Sequence, residues 1–445
     1  MISNLPPSGF RDFLPRECRA RAKAAKIISE AASSAGFQAM ETPAVEDLAV
    51  LTGKGSGENE RLIFQILKRG EKLKEEFDGL ILKPGQASPG LADSGLRFDL
   101  TVPLSRYYAR HQGFLPHPFK AFHMGPVWRA ERAQKGRYRE FIQCDFDVLG
   151  SEDLACELDV VSTIVSALRD LGLAEGLSVS LNDRRVLAGD LREAGVSAEF
   201  EGRTLILLDK KDKMPEEVFT RELDGLLGEK TAKALSGALA RDASSAAAEP
   251  LARLRDLQGS ISRLCPWAEF KIDRGLVRGF DYYTGPVFEI RHPRAAGSIA
   301  GGGRYDGLIQ AFGGRPTPAF GGSIGFERVM LLLEEMKGSE SGEDGARVCV
   351  TIFSPELRGE TFAAAARLRA RGLKVDVCPL SGRLKSQFKY ADATGARWAI
   401  VIGPDEAAAG RFKLKDLRSG EEALETWEEL NARIQSAAAM EAHLA

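Results

Sequence analysis

No stretch of this 445-residue sequence approaches the ~20 consecutive apolar residues that a membrane-spanning helix needs. Its six cysteines, at 18, 144, 156, 265, 349 and 378, form no Cys-x-x-Cys pair, and its five histidines form no His-x-x-x-His. That spacing argues against a zinc site and suits reduced thiols. The opening "MISNLPPSGFRDFLPRE" lacks the charged-then-apolar layout of a secretion signal. A cytoplasmic protein without a membrane partner is therefore expected. Neither charge sign is in large excess, the formal net charge being −2. A nucleic-acid partner would have to be held by local patches. There is no Gly-x-x-x-x-Gly-Lys-Ser/Thr, which excludes a P-loop. The run "AGGGRYDGL" at 300–308 lacks the Gly-x-Gly-x-x-Gly dinucleotide spacing, and taken alone it reads as a tight turn. No nucleophile–base pair of the Ser-His-Asp or Cys-His kind stands out.

What is present is an ordinary globular composition, 44% hydrophobic and 28% charged, in a chain too long for one typical domain. A helix is expected over 17–35, ended by Gly36, with a strand from Phe37 to Val45. Residues 70–95 read as a polar surface excursion. Strands are expected at 96–100, 119–129, 139–149 and 177–182, with a helix at 151–172. Residues 190–265 turn rich in Ala, Leu, Lys and Glu and read as a mostly helical insertion. Strand patterns resume within 270–290 and 297–305, and a helix follows Gly325. "MKGSESGEDGAR" marks a linker at 336–346. Beyond it, strand (347–353), helix, strand (373–378), helix and strand (397–402) alternate, predicting a small α/β unit with a parallel sheet. The boundaries expected are thus 1–189 and 266–335 for a divided core, 190–265 for the insertion, and 347–445 for a terminal domain.

Four segments carry chemistry. In "LVRGFDYYTGPVFEI", 276–290, Arg278, Asp281, Tyr282 and Tyr283 crowd beside Gly279, a set that a plain core strand does not need. In "VWRAERAQKGRYREFIQCDFDVLG", 127–150, five basic residues flank a hairpin tip. There Gln143, Asp145 and Asp147 alternate with Cys144, Phe146 and Val148, placing three polar groups on one face of a buried-looking strand. Such groups need partners, and a polar ligand is the simplest. In "FGGSIGFERVMLLL", 320–333, glycines lead into a helix whose first turn holds Arg328, although a helix start favours anions. A bound polyanion would account for that placement. In "LRFDLTVPLSRYY", 96–108, Asp99 and Thr101 interrupt an apolar segment. Arginines at 129, 278 and 328 for phosphates, with carboxylates and phenols for a small zwitterion, point to catalysis by positioning and charge neutralisation.

These segments resemble the class II aminoacyl-tRNA synthetases. "WRAE" at 128–131 resembles their second signature motif, "GGSIGFER" at 321–328 the third, and the region 17–45 the first. "LVRGFDYYTGPVFEI" and "GGGRYDGL" resemble the histidine-binding signatures of the histidyl-tRNA synthetase family. Residues 380–403 resemble that family's anticodon-binding domain.

The resemblance implies an α/β and α+β multidomain chain: an antiparallel-sheet catalytic core with a helical insertion, and a C-terminal α/β anticodon-binding domain. It implies ATP with Mg2+, L-histidine, tRNA(His) and a homodimer paired through 17–45. By the same resemblance Arg129 holds the ATP α-phosphate, Glu131 the adenine amino group and Arg328 the γ-phosphate, while Phe141 stacks on adenine and Arg278 is a fixed cation by the α-phosphate. Asp99, Thr101 and Gln143 are expected on the amino acid's ammonium and carboxylate. Asp147, Tyr283 and Tyr305 are expected on its imidazole, supported by Asp281 and Tyr282. Gln134, Lys135, Arg137, Arg139, Lys385 and Lys389 are expected on tRNA. No protein-held metal is expected.

Residues 383–418 carry eight basic and four acidic side chains, a local patch of +4 that suits a polyanion or an ordinary solvated surface. The sequence departs from the family's usual bacterial pattern at Ala133, at Asp147 and in "RFDLT", where shorter carboxylates follow the eukaryotic-type form. Two other uses of such a chain are a histidine-binding regulatory subunit of ATP phosphoribosyltransferase and a module of a stress-sensing kinase. The first typically lacks the terminal domain and the catalytic arginine, and the second would bring kinase motifs that are absent.

Overall fold

A computed structural model describes residues 3–53, 61–79, 90–133, 136–211, 214–240, 247–278, 283–337, 347–380 and 383–444. The chain divides into two compact units, Met1–Lys337 and Gly338–Ala445.

The strands of the first unit are β1 (Gln38–Ala39), β2 (Val45–Asp47), β3 (Gln65–Leu67), β4 (Ala92–Leu96), β5 (Phe119–Trp128) and β6 (Glu140–Leu149), then β7 (Ser178–Asp183), β8 (Glu269–Ile272), β9 (Pro286–Arg291), β10 (Ser298–Arg304) and β11 (Ala319–Gly325). Eight form one sheet in the order β1-β5-β6-β11-β10-β9-β7-β8. Its centre is antiparallel, and only the outer pairs β1/β5 and β7/β8 are parallel. Strands β2, β4 and β3 make a small second sheet.

Alternation sets what each face of the large sheet does. Cys144, Phe146 and Val148 of β6 turn to the core with Phe122, Phe288, Phe320 and Ile324. The helices Pro15–Ser34 and Leu154–Asp170 contribute Ile28, Val161, Ile164 and Leu168 to that core. The second helix is started by Asp153, whose carboxylate accepts the Ala155 N–H at 2.8 Å. The opposite face is left for polar groups.

The glycine run, a tight turn when taken alone, lies in the strand expected over 297–305: it is β10, paired with β11 so that Gly301 is opposite Ser323, Gly302 opposite Gly322 and Gly303 opposite Gly321. A Cβ at Gly302 would overlap the Gly321 carbonyl, so the two strands approach as closely as only glycine allows. Some elements differ from the expected ones. The strand expected at 96–100 ends at Leu96, and a helix begins at Thr101. Asp99 stands between them and accepts the Val102 N–H at 3.2 Å, satisfying a first-turn donor of that helix. The expected surface excursion contains the helix Glu71–Gly79 and most of β4.

Residues 184–264 are helical at Arg184–Glu193, Ala198–Asp209, Glu216–Leu227, Glu229–Leu239 and Ala248–Leu264. Leu187, Leu191, Leu205, Phe219, Leu223 and Leu235 give these helices a core of their own. The last helix also sends Leu254, Leu257 and Ile261 into the main core.

The second unit has β12 (Arg347–Val350), β13 (Lys374–Val377), β14 (Trp398–Val401), β15 (Phe412–Asp416) and β16 (Glu422–Glu425) in the order β13-β12-β14-β15-β16. The first three are parallel, as expected, but β15 and β16 add antiparallel, so the sheet is mixed. The hairpin between the last two turns on Asp416, whose carboxylate accepts from Arg418 and Ser419 N–H groups, and on Gly420 at φ 78°.

Gly302→Ala is expected to destabilise the protein by about 3 kcal/mol or more, the upper range for overpacking. Gly307→Ala, with nothing near its Cβ, should be within about 0.5 kcal/mol of the native protein. Denaturant midpoints of the two variants check this.

Candidate active site

The polar face of the sheet is a trough with a glycine floor. One register row crosses it as His123, Asp145, Ser323, Gly301 and Glu289; the next runs Ala121, Asp147, Gly321, Gly303 and Val287. A Cβ at Gly321 would overlap the Asp147 carboxylate, and one at Gly303 would lie 3.0 Å from Cγ of Tyr283. The missing side chains are what let those groups lie flat on the sheet.

The carboxylates gather at one end. Asp99, Asp145 and Asp147 are each at most 5% exposed. The Tyr305 hydroxyl donates to Asp147 Oδ1 at 2.6 Å, and the Gln143 amide reaches Asp145 Oδ1 at 3.3 Å and Ser323 Oγ at 3.2 Å. Among the described residues Asp147 Oδ2, Gln143 Oε1 and His123 Nδ1 are buried without a hydrogen-bond partner. The two oxygens are acceptors and call for a ligand that donates, while His123 Nδ1 is open to either role.

The same crowding raises the carboxyls. Burial pushes Asp99 up to about 6, against the Val102 N–H and Arg129. Burial pushes Asp145 up to about 7, with Asp99 adding to it and Ser323, Gln143 and Arg129 opposing. Asp147 is raised well above the usual range by burial and then by Asp145. Burial, then Arg97, lowers His123 to about 4, so it is neutral.

The arginines gather at the other end. Arg129 sits just beyond β5, its Nε on the Phe98 carbonyl at 3.0 Å and its guanidinium 5.0 Å from the Phe141 ring. Arg328 donates to the Ser298 carbonyl at 2.6 Å. Burial lowers its pKa, and Arg137, Arg278 and Arg129 add to the effect while Glu289 opposes it. Arg278 donates to Glu289 Oε2 at 2.8 Å, and Arg291 holds the other oxygen at 2.6 Å. The Arg278 guanidinium fills the space above Gly301, where a Cβ would come within 2.5 Å of Nη1. The approach to Arg278 is fixed by Asn182, whose amide donates to the Arg274 and Leu276 carbonyls. Several cations held this close attract an anion strongly.

The structure therefore brings Asp99, Gln143, Asp147, Tyr283 and Tyr305 onto one region of the sheet that also holds Arg129, Arg278 and Arg328, with Arg129 acting on Asp99 and Asp145. Thr101 opens the helix behind Asp99. Glu131 is paired with Arg137 at 3.1 Å. Arg139 is held by the chain itself, donating to the Glu131 carbonyl at 3.0 Å and the Ser8 carbonyl at 3.3 Å. Gln134, Lys135, Asp281 and Tyr282 lie outside the described residues. In the second unit, Lys385 and Lys389 are exposed on the helix Leu384–Ala393. The Gln387 amide pins that helix to both polar backbone groups of Ile352 at 2.8 Å each.

Sequence reasoning missed Glu289, Ser323 and His123 as site residues and noted Asp145 only in passing. The alternation that exposed Asp145 would have found His123 on the neighbouring strand. Glu289 and Ser323 depend on the pairing of β9, β10 and β11, which the sequence does not specify.

Comparison with known proteins is consistent along the chain. Residues 92–329 match the family described as histidyl-tRNA synthetase, and residues 347–437 match the anticodon binding domain family. A histidine–tRNA ligase of Leifsonia xyli is 37% identical over 428 residues, covering 91% of this chain and 96% of that one. One of Christiangramia forsetii is 34% identical, covering 94% and 96%. The crystal structure of histidyl-tRNA synthetase from Nostoc sp. PCC 7120 superposes with a TM-score of 0.79 at 29% identity, covering 98% of this chain and all of that one.

The raised carboxyls give a signed prediction for the unliganded protein. Between the ordinary value of 3.8 and about 7, folded Asp145 keeps a proton that the unfolded chain releases. Stability from this group is therefore lost as pH rises through that window. Asp145→Asn should gain thermal stability relative to the native protein between roughly pH 5 and pH 7. A difference in melting temperature that does not change with pH would contradict this.

Proposed function

Since this chain belongs to the histidyl-tRNA synthetase family and is a histidine–tRNA ligase, we propose that the two ends of its trough divide the work of activating L-histidine with ATP. The observation that carries this reading is that three buried carboxylates and a cluster of arginines share one glycine-floored face of the sheet. The amino acid's ammonium goes to Asp99 and Asp145, with Thr101 and Gln143 orienting it. Its imidazole lies between Asp147 and the phenols Tyr283 and Tyr305. A carboxylate on one side and a phenol on the other suit a ring whose two nitrogens differ.

At the cationic end Arg129 and Arg278 take the α-phosphate and Arg328 the γ-phosphate. Phe141 stacks on adenine, and Glu131 accepts from its amino group. The histidine carboxylate then attacks the α-phosphorus and pyrophosphate leaves, giving histidyl-adenylate. Both reactants are anionic, so fixed guanidiniums lower the barrier without reorganising. Glu289 supplies that fixity by holding Arg278 from below. Magnesium arrives with the nucleotide as MgATP and shields its phosphates. The 3′-terminal hydroxyl of tRNA(His) next attacks the carbonyl carbon, and AMP leaves.

Arg137, Arg139 and the tip residues Gln134 and Lys135, which lie outside the described residues, are assigned to the tRNA acceptor end. Lys385 and Lys389 of the anticodon-binding unit are assigned to its anticodon arm. A homodimer joined through residues 17–45 and a cytoplasmic location complete the proposal. No helix among the described residues is long and apolar enough to cross a membrane.

Pyrophosphate exchange into ATP, run with each of the twenty amino acids, tests the reading: only L-histidine should support it. Exchange with a second amino acid at equal rate, or none with histidine, refutes it. Arg278→Ala should lower the single-turnover rate of adenylate formation about 10²–10³-fold. Calorimetric affinity for histidine should be retained. Lysine at 278 should restore only part of the rate, because an ammonium lacks the flat fork.

A further inference from the structure

We propose that the N-terminal segment Ser8–Arg11 is a strap that positions the ATP site, holding the basic hairpin and the Arg328 helix at one fixed separation. The inference rests on the roles proposed above for Arg129 and Arg328. These two arginines stand on elements with no backbone continuity, one beyond β5 and the other in the first turn of Phe326–Lys337. The Arg11 side chain touches both elements. Its guanidinium lies 3.5 Å from the Tyr138 ring centroid, on the returning limb of the hairpin. Its Nη2 donates to Glu327 Oε2 at 2.5 Å, on the residue that precedes Arg328.

The backbone of the segment makes a second connection. Gly9 accepts the Arg139 N–H at 2.9 Å, and the Arg139 carbonyl accepts the Arg129 N–H at 2.8 Å. Two hydrogen bonds thus link Gly9 to Arg129. Gly9 has φ 87°, and a Cβ there would lie 2.7 Å from Arg139 Cγ, so the contact needs glycine. Glu327 is anchored independently. Both its oxygens accept from Arg21 at 2.7 Å, and the carboxylate is nearly buried. Arg21 in turn lies over Phe13 and Phe326.

A strap is needed because Arg129, Arg137, Arg278 and Arg328 repel one another until an anion arrives. Pairing of β6 with β11 ends at Gln143 and Gly325, so beyond it Arg11 and Gly9 supply further contacts between the hairpin and the Arg328 helix. The flat Arg11 guanidinium suits the task, since it can stack on a ring and grip a carboxylate at once. Arg11 and Gly9 are positioning residues: they act on ATP through other side chains.

The test is steady-state pyrophosphate exchange by full-length Arg11→Met, Arg11→Lys and Tyr138→Leu, with Arg328→Ala as reference. Arg11→Met should raise KM for ATP about tenfold or more while KM for histidine and calorimetric histidine affinity stay within about twofold. Arg11→Lys should fall between the native protein and Arg11→Met, and Tyr138→Leu should reproduce the ATP effect from the other side of the contact. Unchanged KM for ATP in Arg11→Met and Tyr138→Leu, alongside a raised value in Arg328→Ala, overturns the strap alone. Equal rises for ATP and histidine also overturn it, because they mark a general scaffold contact. If Arg328→Ala itself leaves KM for ATP unchanged, the site reading fails first.

Discussion

Asp99, Asp145 and Asp147 share one buried face of the sheet, and among the described residues none of them is in an ion pair. Burying an unpaired carboxylate is costly, and the usual relief is protonation. The raised pKa values show that relief. In the proposed reading these groups receive the histidine ammonium and its ring N–H. The rest of the site serves this constraint. Tyr305 fixes one oxygen of Asp147 and leaves the other to a ligand. The glycines of β10 and β11 keep side chains out of the space above the sheet.

The arginine end has the complementary difficulty. Arg278, Arg129 and Arg328 repel one another, yet they are held by Glu289, the Phe98 carbonyl and the Ser298 carbonyl. Each tether uses part of a guanidinium and leaves donors for phosphate oxygens. Charge is therefore organised before substrate binds, which is the condition under which fixed dipoles and charges accelerate a reaction between two anions. The glycine floor joins the ends, since Gly301 makes room for Arg278 and Gly321 for Asp147.

Much of this was legible in the sequence, for identifiable reasons. The alternation in "QCDFDV" placed Gln143, Asp145 and Asp147 on one face because strand period is fixed by the backbone. The unusual arginine in the first turn after Gly325 marked Arg328. The terminal unit's first five elements followed from period changes alone. What failed depended on long-range pairing. The strand over 297–305 is legible, but that its glycines face Ser323, Gly322 and Gly321 is not, because it depends on the register of β11. The strand expected at 96–100 stops at Leu96, and Asp99 instead accepts the Val102 N–H in the first turn of the helix that begins at Thr101. Glu289 could not be assigned to Arg278, eleven residues away, without the register of β9 on β10. The antiparallel pair β15/β16 escaped notice because its turn is built on the Asp416 side chain rather than on a tight glycine or proline pair.

In the proposed reading the amino-acid end is built for cations, since among the described residues its three buried carboxylates are in no ion pair. Calorimetric binding of three related molecules to the free protein tests it most directly: L-histidine, L-histidinol, which lacks the carboxylate, and imidazole-lactate, in which a hydroxyl replaces the ammonium. The account predicts that histidinol binds within about tenfold of histidine, while imidazole-lactate binds at least about 100-fold more weakly, the scale of a lost charged hydrogen bond in a buried site. Imidazole-lactate binding as tightly as histidine, with histidinol failing to bind, would contradict it.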